Sequence, residues 1–191
     1  MPPRNPATNA ARERILATAG ALFYRHGYHA VGIDTIVAES GVAKMTLYRH
    51  FPSKDDLIRA YLERSNQQFW DWLEAASAAA ESPRAKILAI FAAVGELTAS
   101  PQCLGCTFQG AAAEFPAQEH PGHQVALAHK LAVAGRLRDL AAQAGLRDPE
   151  SLANQLALLM DGAWAAARMF GPLNPGRYVA QAAAALVQSH T

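Results

Sequence analysis

Ile33-Asp-Thr-Ile-Val-Ala-Glu-Ser-Gly-Val-Ala-Lys-Met-Thr-Leu-Tyr-Arg-His-Phe51 is the stretch on which the reading of this chain turns. It reads as two short helices, Ile33 to Glu39 and Ala43 to His50, joined at Ser40-Gly41, where a glycine accommodates the positive φ such a turn often needs. Helical spacing turns Val42, Leu47 and Phe51 inward and leaves Lys44, Met45, Thr46, Tyr48 and Arg49 outward. A cation, a hydroxyl and a phenol on one exposed face of a small helical module point to duplex DNA.

Working outward, Ile15, Leu16, Ala19, Leu22 and Phe23 recur at helical spacing, which predicts a first helix from about Asn9 to His26, with Gly27 as its stop. Tyr28 and Val31 are expected to pack where the chain turns. On the other side, Pro52 ends the recognition helix and Ser53 caps a long fourth helix to about Ala80. Asp55 and Asp56 suit the positive end of its dipole. Ser82-Pro83 and Ser100-Pro101 bracket a fifth helix, and a shorter sixth lies within 103–114. A seventh runs from about His123 to Ala144, an eighth from Pro149 to Phe170, and Asn174-Pro175 opens a ninth to about Ser189. No strand signal or internal repeat stands out, so the expected fold class is all-α.

The bulk composition agrees. Of 191 residues, 51% are apolar, much of this alanine, which favours helix over sheet. Net charge is only +1, but residues 1–60 carry eight Lys/Arg against five Asp/Glu, whereas residues 61–191 carry nine against eleven. The anion-binding surface is therefore expected at the N-terminal end, where Arg4 adds a loose phosphate contact. No apolar run of about 18 residues predicts a membrane span, the first residues lack a signal-peptide core, and two cysteines make no disulfide framework. A soluble cytoplasmic protein without cofactor is the expectation.

The order of Gly27-Tyr28, Ile36, Gly41-Val42, Thr46-Leu47-Tyr48, Phe51 and Lys54 resembles the N-terminal domain of the tetracycline-repressor (TetR) family of bacterial transcription regulators. The likeness covers about residues 9–65 and is most specific over Gly41–Leu57. It implies a DNA-binding domain of three helices at 9–60 and a ligand-binding and dimerisation domain of six helices at 61–191. By the resemblance, Lys44 and Met45 face base edges and Thr46 touches base or phosphate. Tyr48, His50 and Lys54 match phosphate-contacting positions. Arg49, outward by periodicity, is placed to read guanine or a phosphate. The chain departs from the family at Gly32-Ile33-Asp34, where a hydroxyl and basic residues are usual. Asp34 would be repelled by phosphate, so Ile33 and Asp34 fall outside the expected DNA set.

The resemblance also implies a homodimer through the last two helices and a repressor released from a roughly palindromic operator by a small molecule. Leu152, Leu156, Leu159, Met160 and Ala163 make one apolar face, and Val179, Ala182, Ala183, Leu186 and Val187 another. These faces either pair the subunits or cover the core of one. A largely apolar effector site is expected from Trp72, Phe91, Phe108, Met160 and Trp164, with Cys106, Glu114 and His129 as candidate polar contacts. Cys103-Leu-Gly-Cys106 leaves three readings open: core or pocket lining, a redox-responsive dithiol, or half a zinc site with Glu114, His120, His123 or His129. No ordered nucleophile–base pair, phosphate loop or H-E-x-x-H motif speaks for an enzyme. A helical interaction module without DNA readout is the remaining alternative.

Overall fold

The structure, a computed structural model, describes residues 6–191; Arg4 lies outside the described residues. In chain order the helices are α1 (Pro6–His26), α2 (Ile33–Ser40), α3 (Lys44–His50), α4 (Lys54–Ser77), α5 (Pro83–Ala99), α6 (Thr107–Glu114), α7 (Pro121–Gln143), α8 (Pro149–Phe170) and α9 (Val179–Ser189). Two short 3-10 turns, Gly171–Leu173 and Pro175–Tyr178, lie between α8 and α9, and no strand occurs among the described residues.

The chain forms two compact units. One, the head, takes the chain through Asn66 together with Thr107–Leu127; the other, the body, takes Gln67–Cys106 and Ala128–Thr191. The head is thus larger than a 9–60 module, because it includes α6 and the start of α7. Its core is the expected stripe of α1, with Ile15, Leu16, Ala19, Leu22 and Phe23 buried, closed by Ile36, Val42, Leu47, Phe51, Leu57, Ile58 and Leu62. Tyr28 and Val31 are buried at the turn as expected.

Gly27 and Gly41 stop α1 and α2 at φ 86° and 63°, and their N–H groups donate to Phe23 O and Val37 O. At Gly27 a Cβ would also stand 2.7 Å from Glu114 Oε1, so a larger residue would strain the turn and push on that carboxylate. Ser53 Oγ accepts the Asp56 N–H at 3.0 Å and caps α4, as its sequence predicts.

α6 belongs to the head through its two ends. At the first, the Tyr28 hydroxyl meets Thr107 Oγ1 at 2.6 Å, and Thr107 Oγ1 donates to Tyr61 OH at 3.0 Å. At the other, Glu114 accepts the backbone N–H of Tyr28 on Oε1 at 2.9 Å and that of His29 on Oε2 at 2.7 Å. Phe115 follows, packed against Tyr28 and His29 and stacked on His120 at 3.9 Å. His120 Nε2 lies 3.5 Å from Asp55.

The body core joins Ile87, Ile90, Phe91 and Val94 of α5 to Val133, Leu137 and Leu140 of α7. Leu152, Leu156, Met160 and Ala163 of α8 and Val179, Ala183 and Val187 of α9 complete it. Of the two apolar faces of α8 and α9 read from sequence, Leu152, Leu156, Met160, Ala163, Val179, Ala183 and Val187 are buried within this chain, and Leu159 and Leu186 are partly buried against them. The faces left outward are different ones, with Leu158, Gly162, Ala165 and Met169 exposed on α8 and Ala184 and Ala185 exposed on α9.

The ninth helix also starts later than Asn174-Pro175 predicts. Asn174 is buried and used as a tie: its Nδ2 donates to Thr98 O at 2.8 Å and its Oδ1 accepts the Gly176 N–H at 2.7 Å. That bond holds Pro175–Tyr178 in a 3-10 turn, so α-helical geometry resumes only at Val179. No helix among the described residues is long and apolar enough to cross a membrane.

Candidate nucleic-acid interface

α3 is a seven-residue helix and too short to be stable alone, so its placement depends on packing. Leu47 is fully buried and Val42 and Phe51 nearly so, which anchors the helix at both ends and its middle. With that face spent, Lys44, Met45, Tyr48 and Arg49 are exposed, and Thr46 and His50 are half-buried. Met45 is 87% exposed, which leaves its apolar side chain open to a partner. The His50 ring borders Phe51, with ring centroids 6.4 Å apart.

Lys54 stands at the first residue of α4, with its Nζ 3.5 Å from His29 O. Partial burial pushes its pKa down, while Glu114 and then Asp55 oppose that shift. The ammonium is therefore partly drawn toward the α1–α2 turn and the end of α6 within the same head unit.

One contact on this face was not anticipated. Lys44 Nζ lies 2.6 Å from Asp34 Oδ1, and both side chains are more than half exposed. The hydrogen bond to Asp34 and then its charge raise the lysine pKa. The two residues are ten apart and on different helices, so no helical periodicity links them; only the angle between α2 and α3 does. Asp34, set aside on sequence grounds for its charge, is thus part of the same surface as Lys44.

The candidate effector residues do not form one group. Trp72, Phe91, His129, Met160 and Trp164 belong to the body, as does Cys106; Phe108 and Glu114 belong to the head. Phe91 and Met160 are buried core, and Trp72 and Trp164 are half-buried against it. His129 is buried with its ring edge against Phe69 at 4.7 Å. Desolvation, then the charge of Lys130, lowers its pKa to about 4, so the imidazole is neutral at pH 7. Glu114 has both carboxylate oxygens engaged by backbone N–H groups, which makes it a structural tie of the head rather than an open polar contact for an effector. Cys103 is buried, Cys106 is half-buried, and both are free thiols just before α6. Among the described residues no three His, Cys, Asp or Glu side chains converge on a possible metal position.

Residues 15–61 match the family described as bacterial regulatory proteins, tetR family. Among solved structures, SCO4454, a TetR-family transcriptional regulator from Streptomyces coelicolor, is 34% identical. It superposes with a TM-score of 0.89 over 95% of this chain and 96% of that one. A putative tetR-type regulator from Streptomyces avermitilis is 32% identical, with a TM-score of 0.85 over 94% and 97% of the two chains. Among curated proteins, the transcriptional activator FasR of Mycolicibacterium smegmatis is 45% identical over 53 residues, 28% of this chain. That match spans only 24% of the relative's own length. Two structural relatives above 30% identity, each aligned over nearly its whole length, extend the likeness of the head to the entire fold. The chain belongs to the TetR family of bacterial transcriptional regulators.

Proposed function

We propose that the protein is a sequence-specific DNA-binding regulator, a homodimer whose two α3 helices enter successive major grooves of a roughly palindromic operator. The observation that carries this reading is the split of α3. Its inward side is spent on Leu47, while Lys44, Met45, Tyr48 and Arg49 stand together in solvent. Lys44 and Arg49 supply the cationic and base-reading groups, Met45 an apolar contact, and Tyr48 a hydroxyl for phosphate. Thr46, His50 and Lys54 flank the row as further phosphate contacts. The outward residues of α8 and α9, Leu158, Gly162, Ala165, Met169, Ala184 and Ala185, form the pairing surface: small side chains let helices approach and the larger ones bury apolar area.

Control follows from a small, largely apolar effector held by the body near Trp72 and Trp164. α4 runs without a break from Lys54 in the head to Ser77 in the body. An effector that binds the DNA-free conformer more tightly releases the operator and makes the protein a repressor acting in the cytoplasm.

The test is binding of the full-length protein to genomic fragments at two salt concentrations, with light scattering for the dimer. Wild type is expected to shift specific fragments, with affinity falling as salt rises. Lys44→Ala and Arg49→Ala are expected to lose the shift while keeping the dimer mass. Unchanged operator binding by both variants would refute the assignment of this face.

A further inference from the structure

Asp34 calls for an explanation that phosphate binding does not supply. It is the second residue of α2, its side chain is 82% exposed, and it faces a DNA-reading lysine at 2.6 Å. An exposed ion pair of this kind contributes little to stability. A lysine intended only for phosphate would be weakened by a carboxylate beside it, and the carboxylate itself would repel the DNA backbone. What the pair does offer is a hydrogen-bond donor and an acceptor set side by side on the exposed face.

That arrangement matches one edge of a base pair. In the major groove a G·C pair presents guanine N7 and O6 as acceptors and, next to them, the cytosine N4 amino donor. O6 and N4 are joined by a Watson–Crick hydrogen bond and so stand about 2.9 Å apart. The Lys44 Nζ and Asp34 Oδ1 atoms, 2.6 Å apart, have the complementary order at a similar spacing. Lys44 keeps two N–H groups beyond the one given to Asp34, enough for O6 and N7. The Asp34 carboxylate keeps free lone pairs for the N4 amino group.

Resting on the DNA-binding reading above, we propose that Asp34 and Lys44 together read one G·C base pair in each operator half-site, Lys44 donating to guanine and Asp34 accepting from cytosine. The reversed C·G pair sets the carboxylate against guanine O6 and N7, acceptor against acceptor, and is rejected. A T·A pair keeps the donor–acceptor order but offers a methyl group where guanine offers N7, and is second best. Asp34 also repels phosphate at every misplaced register, so it lowers binding to random sequence while it sharpens choice at one position.

The experiment is selection from a random duplex pool with full-length wild type, Asp34→Ala and Lys44→Ala. Titrations then follow on the selected duplex and on its three single-base-pair variants at the affected position. Asp34→Ala is expected to melt as wild type does, because the side chain is exposed. It should lose about tenfold of the G·C preference at one position per half-site and bind random-sequence DNA more tightly than wild type. Lys44→Ala, selected at low salt where its weakened binding survives, should flatten the same position. If Asp34→Ala keeps the full selected motif, or tightens on all sequences with base preference intact, the proposal is overturned while the DNA reading stands. If wild type selects no motif and shows no salt-dependent DNA binding, the DNA reading fails and this inference with it.

Discussion

Replacing Glu114 with alanine removes two hydrogen bonds at once, and their surroundings set the size of the effect. The bond from Tyr28 N is partly buried and that from His29 N is exposed, at 2.9 and 2.7 Å. Both end on a carboxylate, which makes them stronger than neutral amide bonds. A partly buried bond of this type contributes about 1.5 kcal/mol and an exposed one about 0.5 kcal/mol, so the loss is about 2 kcal/mol. At about 2–4 °C per kcal/mol for a chain of this size, the melting temperature is expected to fall by about 4–8 °C.

The sharper readout is local. Hydrogen exchange followed by mass spectrometry is expected to show the 27–31 segment and the end of α6 losing protection together, with the α5, α8 and α9 core unchanged. Glu114→Gln keeps one acceptor oxygen and should lose roughly half as much. Unchanged exchange at 27–31 in Glu114→Ala, with a melting shift below about 1 °C, would refute the claim that this carboxylate ties α6 into the head.

Three further outcomes follow from the same structure. His129 has its pKa lowered to about 4 against an ordinary value of 6.5. The unfolded chain therefore takes up the proton first, and this contribution, about 3 kcal/mol, is present above pH 6.5 and lost as pH falls toward 4. Denaturant midpoints from pH 7.5 to 4.5 should fall less steeply in His129→Leu; an identical slope would remove the assignment. Asn174→Ala leaves Thr98 O and the Gly176 N–H without their partner inside the body and is expected to cost about 2–3 kcal/mol, read as a lower midpoint with operator affinity per folded dimer preserved. Leu47→Ala empties a fully buried site under α3 and should cost about 2–4 kcal/mol and weaken DNA binding. Met45→Ala, on the exposed side of the same helix, should leave stability within about 0.5 kcal/mol and change only the DNA titration.

Much of the head was legible because its signals are local. Gly27 and Gly41 stop helices through their own φ, Ser53 caps α4 through the residue three positions on, and the α1 stripe repeats at a single period. Leu47 inward and Lys44, Met45, Tyr48 and Arg49 outward follow from helical spacing and hold in the structure. The Ala-rich helices were less legible. α8 is apolar on more than one side, so periodicity finds a stripe at Leu152, Leu156 and Met160 without saying whether it meets its own core or another subunit. Packing against α5 and α9 decides that it meets the core, and leaves Leu158 outside.

The residues themselves determined that this chain makes helices, where most of them stop, and which side of α3 stays in solvent, since each of those depends on neighbours within a turn or two. Tertiary structure alone decided three pairings: Glu114 with the backbone of Tyr28 and His29, Asn174 with Thr98, and Asp34 with Lys44. Each joins groups on separate elements, from ten to more than eighty residues apart. A polar side chain carries several possible partners in its own chemistry, and only the placement of the helices selects among them.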